Sequence, residues 1–127
     1  MRALLKAAAI AAALAAIGNV IVFYVATAIS GELRVLLPAE MPLEAVQAAI
    51  STLMFGILGS LVVGAIARRT RNPRRMWVNL TVLGLIVYGI APFASAGVTT
   101  ALWFNVMHVV AGVIIIPMVA KVLPESK

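Results

Sequence analysis

The sequence contains no cysteine. Disulfides, thiolate nucleophiles, cysteine-ligated zinc and iron–sulfur clusters are therefore excluded, and so are quinone-linked disulfide oxidoreductases, which need cysteine pairs. Histidine is almost absent too, since His108 is the only one. The four acidic residues lie in loops or near span ends, and a single histidine cannot fill a metal coordination sphere. We therefore predict no metal site, no cofactor and no catalytic residues.

Charged residues are also scarce. They make up 11% of the 127 residues, while hydrophobic residues make up 64%. Soluble globular proteins contain about 25% charged and about 45 to 50% apolar residues. The composition therefore predicts an integral membrane protein.

Three stretches carry no charge: residues 7–31, 45–67 and 76–120. Each of the first two is long enough to cross a hydrocarbon core about 30 Å thick. The third has 45 residues, which as one helix would be roughly 68 Å long, so it must turn back, and the turn residues of "APFASAGVTT" mark the place. We predict one all-α domain over residues 1–127, an integral membrane four-helix bundle with spans at about 6–29, 44–67, 76–93 and 99–121, an outer loop at 30–43 and a basic loop at 68–75.

The basic residues predict the orientation of the bundle. Five arginines lie between the second and third spans, and the other basic residues, apart from Arg34, fall on the same side. The positive-inside rule then places both termini and this loop in the cytoplasm, in a multi-pass protein of the cell inner (cytoplasmic) membrane. We expect the arginines to contact anionic lipid rather than nucleic acid, because no aromatic side chains are interleaved with them. The five are Arg68, Arg69, Arg71, Arg74 and Arg75.

The N-terminal span has a second interpretation. Arg2 and Lys6 precede an apolar stretch, and "ATA" at 26–28 resembles a signal-peptidase site. The apolar stretch is about 22 residues long, against about 7 to 15 in a typical signal peptide. We therefore predict a retained span.

The outer loop, "SGELRVLLPAEMPLEA" at 30–45, is unusually apolar for a connector. Pro38 and Pro42 prevent one continuous helix. We expect a segment that lies in the membrane interface over the bundle. The alternative is a lid or a docking surface for another membrane subunit.

Small residues recur along the second span. Gly56, Ser60 and Gly64 are four residues apart, which places them on one helix face as a small-xxx-small ridge. Such ridges let helix backbones approach closely in a bilayer, where there is no hydrophobic drive between helices. We expect this ridge to pack within the bundle, and a homodimer contact is the alternative.

Five polar residues inside the spans fall at similar depths: Asn19, Ser51, Tyr88, Asn105 and His108. Asn105 and His108 are three residues apart and share a helix face. All four spans thus contribute to one predicted polar cluster or ligand-binding patch below the outer loop. Catalysis by Ser51 with His108 is not supported, because no acid and no GxS context accompany the pair.

His108 has three interpretations. We favour a neutral imidazole that forms a hydrogen bond with a neighbouring helix through Asn19, Tyr88 or Ser51. The second is a cavity wall for a ligand, proton or ion, since ionisable groups inside membranes are often functional. The third is an axial ligand to haem or a chlorin, which would need five-coordination or a second chain.

Two motifs carry a resemblance to a known family. They are "ARRTRNPRR" between the second and third spans and "MHVVAGVIIIP" in the fourth. From about Glu44 to Pro124 the chain resembles a family of small four-span bacterial membrane proteins that carries only a domain-of-unknown-function label. The resemblance implies a four-helix fold and no known activity.

These observations favour a non-enzymatic membrane protein that serves as an accessory, structural or assembly subunit of a membrane complex, or as a homo-oligomer. Its expected partners are membrane lipids, other membrane subunits or further copies of itself. The alternative is a small transporter or channel with a polar pathway around His108. Haem or chlorin binding through His108 ranks below both.

Overall fold

The computed structural model describes residues 1–36 and 39–127. These residues form α1 (Arg2–Ser30), β1 (Arg34–Val35), β2 (Met41–Pro42), α2 (Ala45–Ala67), α3 (Pro73–Ile90), α4 (Pro92–Ser95) and α5 (Val98–Ala120). The helices α1, α2, α5 and the combined α3 and α4 are each long and apolar enough to cross a membrane. The prediction of an all-α chain with four apolar helices is therefore confirmed.

The helix ends follow from local sequence. Gly31, with a φ of 76°, ends α1 in a conformation that favours glycine. The side-chain oxygen of Gln47 accepts a hydrogen bond of 3.0 Å from the Glu44 backbone N–H at the start of α2. Pro73 occupies the first turn of α3. The basic loop therefore ends at Asn72, and α3 begins earlier than residue 76, where the third span was predicted to start.

The uncharged 45-residue stretch turns back where its sequence predicts. Pro92 opens the short helix α4, Ala96 is extended, and Gly97 caps α5. We call this end of the bundle, with the β1–β2 hairpin, the outer end, and the end with the basic loop the inner end.

The small-residue ridge of α2 lies against α1. A Cβ atom added at Gly56 would lie 2.9 Å from Ala12 Cβ and 3.2 Å from Ile115 Cδ1, and one added at Gly64 would lie 2.9 Å from the methyl groups of Leu4. Ser60, between them, is buried. The ridge is therefore used within the chain, and α1 packs along both α2 and α5.

The third spanning helix is packed unevenly against its neighbours. α3 packs mainly on α5 and less on α2. Its buried residues among those described, Pro73 and Trp77, lie in its first two turns.

Two apolar clusters hold the bundle at its ends. The inner cluster is Leu4, Ala67, Trp77, Val119, Ala120 and Leu123, and the outer one is Phe23, Ala26, Leu33 and Met107.

One arginine of the predicted lipid-contacting set also forms contacts within the chain. Arg74 Nε donates to Ala120 O at 3.0 Å, Nη2 donates to Leu123 O at 3.2 Å, and Nη1 forms an ion pair with Glu125. These carbonyls lie at the C-terminal end of α5, where cations are stabilised. Arg74 thus clamps the C-terminal tail to α3. This contact was not expected from the sequence, which placed Arg74 in a loop, and lipid contact by Arg74 stays a prediction.

The outer loop is a short hairpin rather than a helix. β1 pairs antiparallel with β2, Leu33 is buried, and the Leu36 N–H donates to Ser95 O at 2.9 Å. Leu37 and Pro38 lie outside the described residues. The hairpin is thereby tied to α4 and covers the outer cluster.

Arg34, the basic residue on the outer end, is paired with acids. It forms ion pairs with Glu32 and, at 3.1 Å, with Glu40. The hydrogen bond to Glu32 raises the pKa of the Arg34 guanidinium, and the charge of Glu40 adds to this effect. Arg34 is the exception to the bias of basic residues toward the inner end, and neighbouring acidic residues compensate its positive charge.

The packing of the ridge predicts that leucine substitutions at two glycines of α2 differ in their effect on stability. Gly56→Leu should lower the free energy of unfolding by about 1 to 3 kcal/mol, because the new side chain overlaps Ala12 and Ile115. Gly59→Leu is the matched control, since a Cβ there meets nothing within 4 Å. Thermal unfolding in mild detergent, followed by the helical circular dichroism signal, measures both. Equal stability of the two variants would contradict the packing described above.

Candidate functional site

A cleft of about 550 Å³ lies between α2 and α3. The basic loop joins the two helices at their inner ends. Toward the outer end, α3 has few contacts with α2. The back of the cleft is formed by α5 and by Asn19 of α1. Its lining is mostly apolar. Residues on both walls, such as Phe55 and Tyr88, are largely exposed, so in a bilayer the cleft would open sideways into lipid.

Trp77 closes the cleft at its inner end. The side chain is 1% exposed and belongs to the inner apolar cluster. Its indole N–H donates to Ile116 O of α5 at 3.0 Å. Because the indole ring is held by both packing and a hydrogen bond, it closes the inner end of the cleft. The cleft therefore does not continue through the bundle.

Four of the five residues of the predicted polar cluster line this cleft, namely Asn19, Ser51, Tyr88 and His108. They come from all four spanning helices. Asn105 does not belong to the lining. The predicted cluster did not include further polar residues that also line the cleft: Gln47, Thr52, Ser60, Thr81 and Ser95. The signal for Thr52 was its position beside Ser51 at the depth of Asn19.

The amide of Asn19 is oriented by Thr52. The Thr52 hydroxyl donates to Ala48 O at 2.7 Å, so its oxygen accepts from Asn19 Nδ2 at 2.9 Å. A hydroxyl has one proton, so the Asn19 NH₂ group must face Thr52. Asn19 is 3% exposed, and no described residue donates to its Oδ1. The orientation therefore leaves an unpaired carbonyl oxygen.

His108 does not form the expected interhelical hydrogen bond. Its Nδ1 is buried, and within residues 1–36 and 39–127 it has no hydrogen-bond partner. The ring lies beside that of Tyr88, with centroids 6.3 Å apart and planes at 60°. Tyr88 thus contacts His108 through its ring. Asn19, the other candidate partner, is held by Thr52.

Asn105 holds α3 and α5 together instead. Its Nδ2 donates to Gly89 O of α3 at 3.0 Å and to Ala101 O at 2.9 Å. A Cβ atom at Gly89 would lie 2.7 Å from Asn105 Oδ1, so a larger residue there would displace the Asn105 amide. Asn105 and His108 share a helix, but Asn105 has the structural role that we expected of His108.

The lining of the cleft offers hydrogen-bonding side chains. None of the residues that line it carries a charge, and the described residues contain no group of three or more potential metal ligands from histidine, cysteine and acidic side chains. His108 is the one titratable imidazole in the lining, and no carboxylate lies beside it there. The arrangement is suited to binding a neutral, mainly apolar group.

The two polar residues of α5 should therefore differ in their effect on stability. Asn105→Leu removes two hydrogen bonds and should lower the free energy of unfolding by about 0.6 to 1.7 kcal/mol. His108→Leu removes no hydrogen bond to a described residue, so its stability should equal or exceed that of the wild type. Unfolding in detergent measures both. A larger loss for His108→Leu than for Asn105→Leu would contradict the assignment.

Comparison with known proteins identifies a family but no function. The model of DUF6069, described as a family of unknown function, matches residues 1–125. The match includes the first span as well as the part of the chain that carries the predicted resemblance. No curated protein and no solved structure matches the chain. The chain thus belongs to DUF6069, a family of unknown function.

Proposed function

We propose that this protein is a non-enzymatic membrane protein that acts by binding another membrane component within the bilayer. In this role it is an accessory or assembly subunit of a membrane complex, or a homo-oligomer. The cleft between α2 and α3 carries the proposal. It presents polar and apolar side chains of four helices to one lateral opening, and no described part of the chain covers it.

The proposed orientation places both termini and the basic loop in the cytoplasm, in the inner membrane. Arg68, Arg69, Arg71 and Arg75 support it, because they are exposed at the inner end and form no ion pair with a described acid. In this orientation they bind anionic lipid headgroups, each worth about 1 kcal/mol near the surface. A reporter fused after Lys127 tests the orientation, and its activity outside the cytoplasm would contradict it.

Transport is the second candidate, because polar side chains line the cleft from Gln47 at the outer end to Thr81 near Trp77. Trp77 weighs against it, since a pathway would require this packed ring to move. Haem or chlorin ligation by His108 ranks lower, because the lining supplies no second axial ligand of histidine type. A coloured protein on purification would favour haem or chlorin ligation.

Filling the cleft tests the binding role. Gly59 and Gly84 lie in the lining on opposite walls, and a Cβ at either meets nothing within 4 Å. The double variant Gly59→Leu/Gly84→Leu therefore adds side chains to both walls of the cleft where the Cβ atoms have free space. Native mass spectrometry of the protein from its own membranes, in mild detergent, should show a stoichiometric second component on the wild type and loss of most of it from the variant.

The matched control is Ala13→Leu, an exposed position on α1 outside the cleft. It should retain the second component at the wild-type level. The proposal is contradicted if the wild type is a bare monomer in both detergent and lipid nanodiscs. It is also contradicted if the double variant retains as much of the component as Ala13→Leu.

A further inference from the structure

We infer that the cleft between α2 and α3 binds an elongated, uncharged apolar molecule that carries a hydroxyl group, which enters sideways from the bilayer. The inference rests on the proposed binding role and specifies the chemical class of the occupant. It follows from the hydrogen-bonding state of two side chains, from the absence of charge in the lining and from the size of the cleft.

Asn19 determines the polar group of the ligand. Since its NH₂ group is committed to Thr52, the atom left over is the carbonyl Oδ1, which only accepts hydrogen bonds. A partner for this oxygen must bring an O–H or N–H donor. Leaving a buried acceptor unpaired is destabilising, so a donor on the ligand is favoured over an ether, an ester or a hydrocarbon.

His108 supplies a second contact of the same kind. Its Nδ1 is also buried without a partner among the described residues, and His108 lines the same cleft. A neutral imidazole nitrogen donates or accepts, depending on the tautomer. A hydroxyl group is both donor and acceptor, so it can donate its one proton to Asn19 Oδ1 and accept a hydrogen bond from His108 in the tautomer that carries the proton on Nδ1. An amine would be charged in a lining that offers no counter-charge.

The dimensions suit a small molecule. From Tyr88 to Trp77 the α3 wall is about 16 Å long at 1.5 Å per residue. The cleft has a volume of about 550 Å³, and ligand pockets typically measure about 300 to 1,000 Å³. A single chain or a narrow ring system fits this space.

The position of the polar groups orients the ligand. Thr52 lies in the second turn of α2 counted from the outer end, and Asn19 pairs with it. The hydroxyl group is thus held in the outer half of the bundle, and the apolar part extends inward along Leu80 and Ile115 to Trp77. The indole ring at the floor is then a natural reporter for the far end of the ligand.

Fluorescence quenching tests the inference directly. Trp103 lies outside the cleft, so Trp103→Phe leaves Trp77 as the sole tryptophan. The probes are a long-chain alcohol with bromine at its far end and the methyl ether of the same molecule, added to the protein in lipid nanodiscs. We expect saturable quenching with the alcohol and binding of the ether weaker by about threefold to tenfold, the value of one hydrogen bond.

Two variants in the Trp103→Phe background test whether Asn19 causes the preference for the alcohol over the ether. Asn19→Leu should remove the preference for the alcohol, while Ala13→Leu should keep it. If Asn19→Leu does not fold, the preference of the unmodified cleft for alcohol over ether remains the deciding measurement. Gly59→Leu/Gly84→Leu should weaken the quenching by both probes.

The outcomes separate this inference from the proposed function. Equal quenching by alcohol and ether, unaffected by Asn19→Leu, overturns the requirement for a hydroxyl group while the cleft still binds. Quenching by neither probe, with a stoichiometric protein chain found in the cleft by mass spectrometry, overturns the inference but upholds the binding role. Quenching by neither probe on a protein that also carries no second component overturns both.

Discussion

The close approach of α1 to α2 and α5 determines the rest of the structure. In a bilayer, helices gain little from burying apolar side chains against each other rather than against lipid, so association depends on contact between backbones. The alanine face of α1 and the ridge of Gly56, Ser60 and Gly64 provide that contact. Three helices are thereby joined tightly, and α3 has no comparable surface toward α2.

The cleft is a consequence of this unequal packing. α3 is held at its inner end by Trp77 and the Arg74 clamp and along α5 by Asn105. Toward α2 its residues Thr81, Gly84 and Tyr88 face open space instead of a helix. A bundle with four equally packed helices would have enclosed Asn19 and His108 in a dry interior, whereas here they lie at the back of a lateral opening.

Much of this architecture could be predicted from the sequence, because length, charge and spacing act locally. The four helices, the turn at Pro92 and the face shared by Gly56 and Gly64 all follow from such rules. The partner of each polar residue could not be predicted. It depends on how far each helix is rotated about its axis.

Asn105 and His108 illustrate this limit. They are three residues apart, yet Asn105 meets the Gly89 carbonyl of α3 and His108 lines the cleft. Arg74 is a second case, since its role depends on where the chain returns after α5. The rotation of a helix about its axis and the path of the chain after α5 depend on contacts between segments. The sequence pattern of one segment does not predict them.

The central claim is that the face of α2 between Ser51 and Gly59 opens to the lipid through the cleft. Because the chain has no cysteine, one nitroxide can be attached at a single introduced cysteine in bilayers. The collision rate with molecular oxygen then reports contact with the hydrocarbon phase. The account predicts that a label at Gly59 is as accessible to oxygen as one at exposed Ala13, and far more than one at buried Ala16. Accessibility at Gly59 as low as at Ala16 would contradict it.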